Sequence, residues 1–376
     1  MLTMKGRYNT ANIMIDSIDD TTKQQIQGFL NHPAFADTYI AIMPDCHAGK
    51  GAVIGFTMKE NAHVIPNIIG VDIGCGMLMA KFPIDHIDLV ALDAFIKTNI
   101  PSGFSIHAQA RPVSEAFLTK EVAWVCDRIS LDFDKTMRAI GSLGGGNHFI
   151  EAGFDSQRNL TVTIHSGSRN FGKCVADYYQ KEAKSGLEKY FLKDAYPDLE
   201  FMPMDSPQGQ DYLFSMRVAQ RFASTNRKEM LLILSHFLKA VPSVIYESVH
   251  NFIGDDHIIR KGATSAHEGE KVIIPFNMAD GIALCTGKGS AKYNNSAPHG
   301  AGRILSRTQA KKVLDASGFA MQMEEAGVYT TTANEATLDE APGAYKPMNV
   351  ILENIKETVT VDELIKPIYN FKAGGD

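Results

Sequence analysis

The chain has 376 residues, 44% hydrophobic and 21% charged, with 43 acidic against 37 basic side chains and a formal net charge of −6. This is globular composition, which excludes collagen, coiled coil and gross disorder; a chain this long buries roughly 75% of its unfolded surface and needs neither disulfide nor metal merely to fold. The acidic average argues against a non-specific polycation for nucleic acid, while a local basic groove is something only the fold can assemble.

The opening MLTMKGRYNT has no hydrophobic signal core, so no cleaved secretion signal is expected. Residues 1–60 read as short strands and turns leading into Met43-Pro44-Asp45-Cys46-His47. The most apolar window, Val64 to Ala80, is broken by Asp72 and glycines, so no membrane span is predicted. Leu89, Leu92 and Phe95 give Ile87 to Lys97 helical spacing, and Ser114 to Ile129 forms a second helix with Ser114 as its cap. Asn147 to Glu151 and Leu160 to His165 read as strands. Phe171 to Phe191 is helical, Asp211 to Ala240 is a long helix or a helical pair, and Ser243 to Ile253 is strand-like. Arg303 to Leu314 is helical behind a glycine block. Helices and strands mix without strict alternation, which predicts an α+β fold rather than a doubly wound sheet, with 1–376 as one domain. Cys46, Cys75, Cys126, Cys174 and Cys285 are odd in number and scattered, which fits a reducing, cytoplasmic setting.

Five blocks carry chemistry. In Val71-Asp72-Ile73-Gly74-Cys75-Gly76-Met77 a carboxylate and a thiol three residues apart, bracketed by glycines, can converge on one cation; the plain alternative is a glycine turn with a buried cysteine. The run Gly144-Gly145-Gly146-Asn147-His148-Phe149-Ile150-Glu151 exposes backbone amides suited to an anion, followed by a metal nitrogen and polar groups suited to a base or sugar. In His165-Ser166-Gly167-Ser168-Arg169 a candidate ligand ends a strand with a phosphate fork four residues on. His250-Asn251 is a polar pair inside a strand-like run, which alone would read as core. In His299-Gly300-Ala301-Gly302-Arg303-Ile304-Leu305-Ser306-Arg307 a histidine on an accessible turn precedes two arginines placed one helical turn apart on one side, the pattern of a nucleophile with two phosphate clamps. One thiolate, several imidazoles and a carboxylate suit Mn, Fe, Co or Zn better than Mg or Ca, and suffice for two ions if the thiolate bridges.

With Met43 to Gly51, Arg260 to Ala263 and a C-terminal Lys372 in addition, these blocks occur in the order found in the RtcB family of RNA-splicing ligases, which the chain resembles over residues 43 to 307 and beyond. The resemblance implies an RtcB-like fold, with mixed sheets flanked by helices around a central metal and nucleotide cleft. It implies joining of an RNA 3′-phosphate or 2′,3′-cyclic phosphate to a 5′-hydroxyl, with GTP and manganese consumed or used as cofactors. Carried over residue by residue, Asp72 and His148 would complete one of two Mn ions and His165 and His250 the other, with Cys75 bridging. His299 would take GMP. Asn147, Phe149, Glu151, Asn251, Pro275, Asn277, Met278, Gly300, Ala301, Gly302 and Lys372 would contact the nucleotide. Arg169, Arg303 and Arg307 would hold phosphates of nucleotide or RNA, and Asp45 would orient the metal-ligating side chains from behind.

The chain departs from the family at Pro275-Phe276-Asn277-Met278-Ala279-Asp280-Gly281, where a Pro-Gly-Ser-Met-Gly turn is usual; Asn277 is expected to replace the serine contact, which leaves the strictness of GTP selection open. Its compactness resembles a subgroup found beside a release-factor homologue and associated with repair of ribosomal RNA, as against tRNA splicing; an archease-like activator is the other partner the family implies. The competing reading is a dinuclear phosphodiesterase that opens cyclic phosphates with the same donors and no need of His299. A non-catalytic RNA-binding scaffold would keep the arginines and tolerate loss of the donors. No membrane association is expected, and nothing in the sequence sets the oligomeric state.

Overall fold

The computed structural model describes residues 2–113, 116–190, 192 and 195–374. Its architecture is α+β, as the mixed pattern predicts. The organising element is a five-stranded antiparallel sheet ordered Val244–Val249, Gly76–Phe82, Leu160–Ser166, Phe149–Phe154, Pro367–Lys372. Leu78, Ala80, Val162, Ile164, Ile150 and Tyr369 bury one face of it against Leu92, Ile96, Met230 and Leu234. Burial of each such aliphatic side chain contributes about 1.5–3 kcal/mol before entropy is charged against it.

Register decides where the ends of these strands fall. Gly76 pairs with Ser166, Met77 and Phe149 both sit opposite His165, Val249 pairs with Gly76, and Lys372 pairs with Phe149. Cys75, His148, His165, His250 and Lys372, distant along the chain, therefore lie at one end of one sheet. The strand-like run over 243–253 breaks at His250: Val244–Val249 belongs to the five-stranded sheet and Asn251–Ile253 to a second, six-stranded one. His250 stands where the chain crosses between them. The second sheet also contains Ile40–His47, which carries Asp45. The short strand Ser296–Pro298 pairs with Ala263–Ser265 and delivers His299 to the same place.

The helix Pro207–Leu238 is continuous, so the second half of the expected "helix or helical pair" is excluded. Ser206 caps it by accepting from the Gly209 amide and Pro207 occupies its first turn, where a missing N–H costs nothing. Tyr212, Met216, Ala219, Phe222, Ala223 and Met230 recur at three- and four-residue spacing and are fully buried. Two expectations need correction. Residues 20–30, read as part of a strand-and-turn region, form the helix Asp20–Leu30; Asp19 caps it and Thr22, Ile26, Phe29 and Leu30 bury one stripe, a pattern that its polar Thr-Thr-Lys-Gln-Gln face masks in the sequence. The helix expected from Arg303 starts at Arg307, because Ser306 and Gln309 form a capping box there. Arg303 thus precedes the helix and is not related to Arg307 by a helical turn. The expected helix over 114–129 is described as Ala116–Arg128, and its proposed cap Ser114 lies outside the described residues; the helix expected over Phe171 to Phe191 is Arg169–Glu188, and its expected last residue, Phe191, also lies outside the described residues. Among the described residues no helix is long and apolar enough to cross a membrane.

Candidate metal and nucleotide site

Two donor triads share one sulfur: Asp72, Cys75 and His148 form the first, Cys75, His165 and His250 the second, and in each the ligating atoms lie within 4.8 Å of one another. Cys75 Sγ is 3.5 Å from His148 Nε2 and 3.3 Å from His165 Nε2. His165 Nε2 is 3.3 Å from His250 Nε2, and His148 Nε2 is 2.9 Å from Asp72 Oδ2.

The tautomers follow from the partners behind the rings. His148 Nδ1 lies 2.9 Å from the Leu143 carbonyl and His165 Nδ1 lies 3.1 Å from the Asn147 carbonyl. A carbonyl oxygen only accepts, so each Nδ1 carries a proton and each ring turns Nε2 into the cluster. His148 Nε2 then faces a carboxylate oxygen at hydrogen-bonding distance, and the neutral His165 aims a lone pair at a sulfur and a second imidazole nitrogen. Such a convergence of lone pairs is repulsive by itself and favourable around a cation, and carbonyl-anchored imidazoles are the usual way a metal-binding ring is oriented. Each triad could therefore hold a cation, with Cys75 common to both.

Electrostatics agree with that fit. Burial, reinforced by the Asp72 carboxylate, raises the Cys75 thiol well above its ordinary range. Burial and the neighbouring imidazoles hold His165 and His250 well below theirs. Burial raises the Asp72 carboxyl, but the His148 hydrogen bond and charge outweigh it and leave it at about 2. At neutral pH the cluster thus offers the neutral imidazoles of His165 and His250 and the Asp72 carboxylate, with a thiol that a cation must deprotonate.

Supporting contacts hold the donors. Asp72 Oδ1 accepts from the Ser168 amide at 3.1 Å, and a Cβ on Gly167 would stand 2.1 Å from that same oxygen. Gly144, at φ +92°, leaves room that a Cβ would take from the Arg169 guanidinium at 1.9 Å. The fully buried Arg227, which the sequence reading missed, donates to the carbonyls of Gly74 and Ser166 at 2.8 and 2.7 Å and pairs with Glu247. It ties the turn bearing Cys75 to the strand bearing His165. A lone arginine inside a polar helix stretch carries no signal of that role.

A cavity of about 290 Å³ opens beside the cluster. Its wall takes Asn147, Phe149, Glu151, Lys372 and the turns 275–278 and 299–303. Asp72, Cys75, His165, His250, Asn251 and Arg307 also face it. His148 and Asp45 stand behind the wall, and Arg169 faces a neighbouring cleft instead, where its guanidinium donates to the Gly103 carbonyl and Ser142 Oγ.

His299 lies against the donors without joining them; its ring centroid is 4.8 Å from that of His250. Its Nδ1 is 2.6 Å from Oδ2 of the fully buried Asp45. Asp45 was expected to orient ligating side chains. It touches His299 instead, and Gly302 at φ +72° lets the following turn close onto the Asp45 carbonyl, 2.0 Å from where a Cβ would be.

Several nucleotide-contact expectations are met by other partners. Asn251 donates to the Asp72 carbonyl and accepts from the Gly262 amide, bracing the ligand loop. Asn277 Oδ1 accepts from the Ala279 and Asp280 amides, so the altered turn is held by the residue expected to replace the serine contact. Arg303 and Arg307, read as phosphate clamps, both reach Glu340, at 3.2 and 2.7 Å. Lys372 reaches the same carboxylate at 2.9 Å, and the Tyr345 hydroxyl donates to it. Burial raises the Glu340 carboxyl, yet Lys372 and the arginines overcome this and hold it at about 2. Glu340 lies in Thr337-Leu338-Asp339-Glu340, a stretch without any sequence mark of function.

Glu151 is buried, with Oε2 accepting from Asn370 Nδ2 at 2.9 Å and Oε1 without a partner among the described residues. Burial raises its carboxyl from 4.5 to about 8 against the opposing pull of Asn370 and Lys372. The folded protein therefore binds a proton that the unfolded chain releases between those values, and stability falls as pH rises through that window. In Glu151→Gln that slope should vanish: urea melts near neutral pH and near pH 8 should show the ligand-free variant gaining roughly 2–4 kcal/mol on wild type relative to their difference near pH 4. Parallel stability profiles for the two proteins would refute the assignment.

Comparison with known proteins bears on this arrangement. The family model described as tRNA-splicing ligase RtcB matches residues 25–135 and 128–373. The chain belongs to the RtcB family. It is 30% identical over 386 residues to RNA-splicing ligase RtcB1 of Escherichia coli strain ATCC 25922, covering 92% of each chain. It is 29% identical to RNA-splicing ligase RtcB of E. coli K12, again over 92% of each. It is also 29% identical to tRNA-splicing ligase RtcB of Nanoarchaeum equitans, over 84% of this chain and 83% of that one. The RtcB match spans the five donors, His299 and Lys372, so the residues gathered at the sheet end all lie inside the shared region.

Proposed function

We propose that this protein is an RNA ligase that joins RNA 3′-phosphate or 2′,3′-cyclic phosphate ends to 5′-hydroxyl ends, with GTP as energy source and manganese as metal. The observation that carries this reading is the place of His299: beside the donor cluster, outside its two triads, with Nδ1 engaged by a buried carboxylate. A hydrolase needs only the donors. A histidine held with one nitrogen on Asp45 and the other facing the cavity is the arrangement of a nucleophile.

In the proposed first step Nε2 of His299 attacks the α-phosphorus of GTP, an N–P bond forms, and the bond to pyrophosphate breaks. Asp45 balances the positive charge the ring gains. In the second step an oxygen of the RNA 3′-phosphate attacks that phosphorus, the N–P bond breaks and His299 is restored. The RNA 5′-hydroxyl then attacks the activated 3′-phosphorus, loses its proton to solvent and displaces GMP. A cyclic phosphate is first opened by water. Asp72, Cys75 and His148 would hold one manganese ion and Cys75, His165 and His250 the other, supplying charge neutralisation at the phosphates. Glu151, whose Oε1 has no partner among the described residues, suits the N–H edge of guanine, and Arg303, Arg307 and Lys372 would exchange contacts with Glu340 for contacts with phosphate or base. The free cysteines, Cys75 among them, suit a reducing compartment, in line with a cytoplasmic site of action. By resemblance to the compact subgroup, broken ribosomal RNA is the proposed biological substrate, with a release-factor homologue or archease-like activator as partner.

The test is incubation with manganese and α-labelled GTP, followed by a 2′,3′-cyclic-phosphate RNA and a 5′-hydroxyl RNA. Acid-labile, alkali-stable label on the protein and a joined RNA are expected. Opening of the cyclic phosphate with no label on the protein would replace the ligase by the hydrolase.

A further inference from the structure

Beyond the nucleotide cavity lies a larger cleft of about 1250 Å³, to which the triglycine block and Arg169 contribute alongside residues that no sequence motif marked. The two meet at Arg307, which lines both. Gly145 and Gly146 of the triglycine turn line the cleft, and Lys135, Lys173, Lys311 and Lys312 with Arg169 and Arg307 outnumber its two acidic residues, Asp132 and Asp339; Lys173 pairs with Asp177 and Lys311 with Asp339. Lysines of this kind supply the sequence-independent attraction for a phosphate backbone. The cleft is thus a local basic track on a protein whose net charge is −6.

Phe104 projects from the rim with 85% of its surface exposed, the most exposed phenylalanine among the described residues. An exposed aromatic on a loose loop tip would need no explanation, but this backbone is pinned. The Gly103 amide donates to the Gly144 carbonyl at 2.9 Å, the Gly103 carbonyl accepts from Arg169 at 2.6 Å, and the Leu143 amide donates to the Pro101 carbonyl at 2.8 Å. The turn that carries Phe104 is therefore tied to the same glycine block that carries His148. A rigidly presented, solvated ring beside a basic track is the layout with which proteins hold single-stranded nucleic acid: cations follow the backbone and the ring stacks on a base whatever its identity.

We propose that Phe104 is a stacking platform for an unpaired nucleotide of the RNA substrate and that the Lys135–Lys312 cleft carries the adjoining strand toward Arg307. The inference rests on the ligase reading for the identity of the strand and specifies where it runs.

The experiment measures binding of two fluorescein-labelled single-stranded oligoribonucleotides of about ten residues by anisotropy, so it does not depend on turnover. One carries a 3′-phosphate and a blocked 5′ end, the other a 5′-hydroxyl and a blocked 3′ end. Phe104→Ala is expected to weaken binding of at least one by roughly tenfold, and Phe104→Trp to restore it. Whichever oligonucleotide responds identifies the strand in the cleft. Lys135→Gln with Lys312→Gln should lower the salt slope of log affinity by about 0.7 for each phosphate that the two lysines neutralise in wild type. Affinity of Phe104→Ala within twofold of wild type for both oligonucleotides overturns the proposal. A wild-type protein that takes no label from GTP would sink the ligase reading separately, while the anisotropy result would still decide the role of Phe104.

Discussion

His299→Ala should take no label from α-labelled GTP and should join RNA at least about 10⁴-fold more slowly than wild type, in the range that loss of a covalent nucleophile produces. The reason is positional. Asp45 sits behind the ring with one oxygen 2.6 Å from Nδ1, and the other side of His299 faces the cavity next to His250. Nothing else on the cavity wall pairs an imidazole with a buried carboxylate in this way among the described residues. Asp45→Asn is the companion variant: it keeps the side chain's size and removes the charge that balances the phosphorylated ring, so labelling should slow without being abolished. Manganese binding by calorimetry should be retained in His299→Ala, because His299 belongs to neither donor triad. A variant that keeps full labelling would end the nucleophile assignment; one that loses manganese instead would make His299 a ligand.

Cys75→Ala should abolish tight manganese binding and labelling together, because its sulfur is the one atom common to both triads. Supporting residues around a metal typically cost 10–100-fold in affinity when removed, and a bridging ligand should cost at least about the upper end of that range. The linked proton gives a second readout. The buried thiol is protonated at neutral pH in the metal-free protein, so binding must expel a proton and affinity must rise with pH. Proton release measured in buffers of different ionisation enthalpy should be larger in wild type than in Cys75→Ala. The metal-free variant should remain folded, since only a small buried side chain is lost. Equal proton release, or full guanylylation of the variant, would mean that the sulfur does not bridge.

The candidate donors of this protein were legible in short contiguous blocks. Asp72 and Cys75, the triglycine turn before His148, His165 before Ser-Gly-Ser-Arg, and His299 before its Gly-Ala-Gly turn announce themselves because ligand type and backbone permissiveness are local properties. The mixed fold class and the helical character of the stretch around Phe222 were readable for the same reason, through spacing, while its continuity as one helix was not. The helix at Asp20 was not, because only half of one face is apolar and its polar stretch imitates a turn. Contacts between blocks were the province of the tertiary structure. Asp45 pairs with His299 across 254 positions, Glu340 collects Arg303, Arg307 and Lys372, and Asn251 and Asn277, which the family resemblance assigns to the nucleotide, also brace their own loops. Each of those partnerships depends on which strand ends coincide, and strand register is set by the summed burial of whole faces, with no single residue pair recording it. A residue's repertoire of bonds is written in its own side chain, but the partner that uses it is chosen by the packing of everything around it.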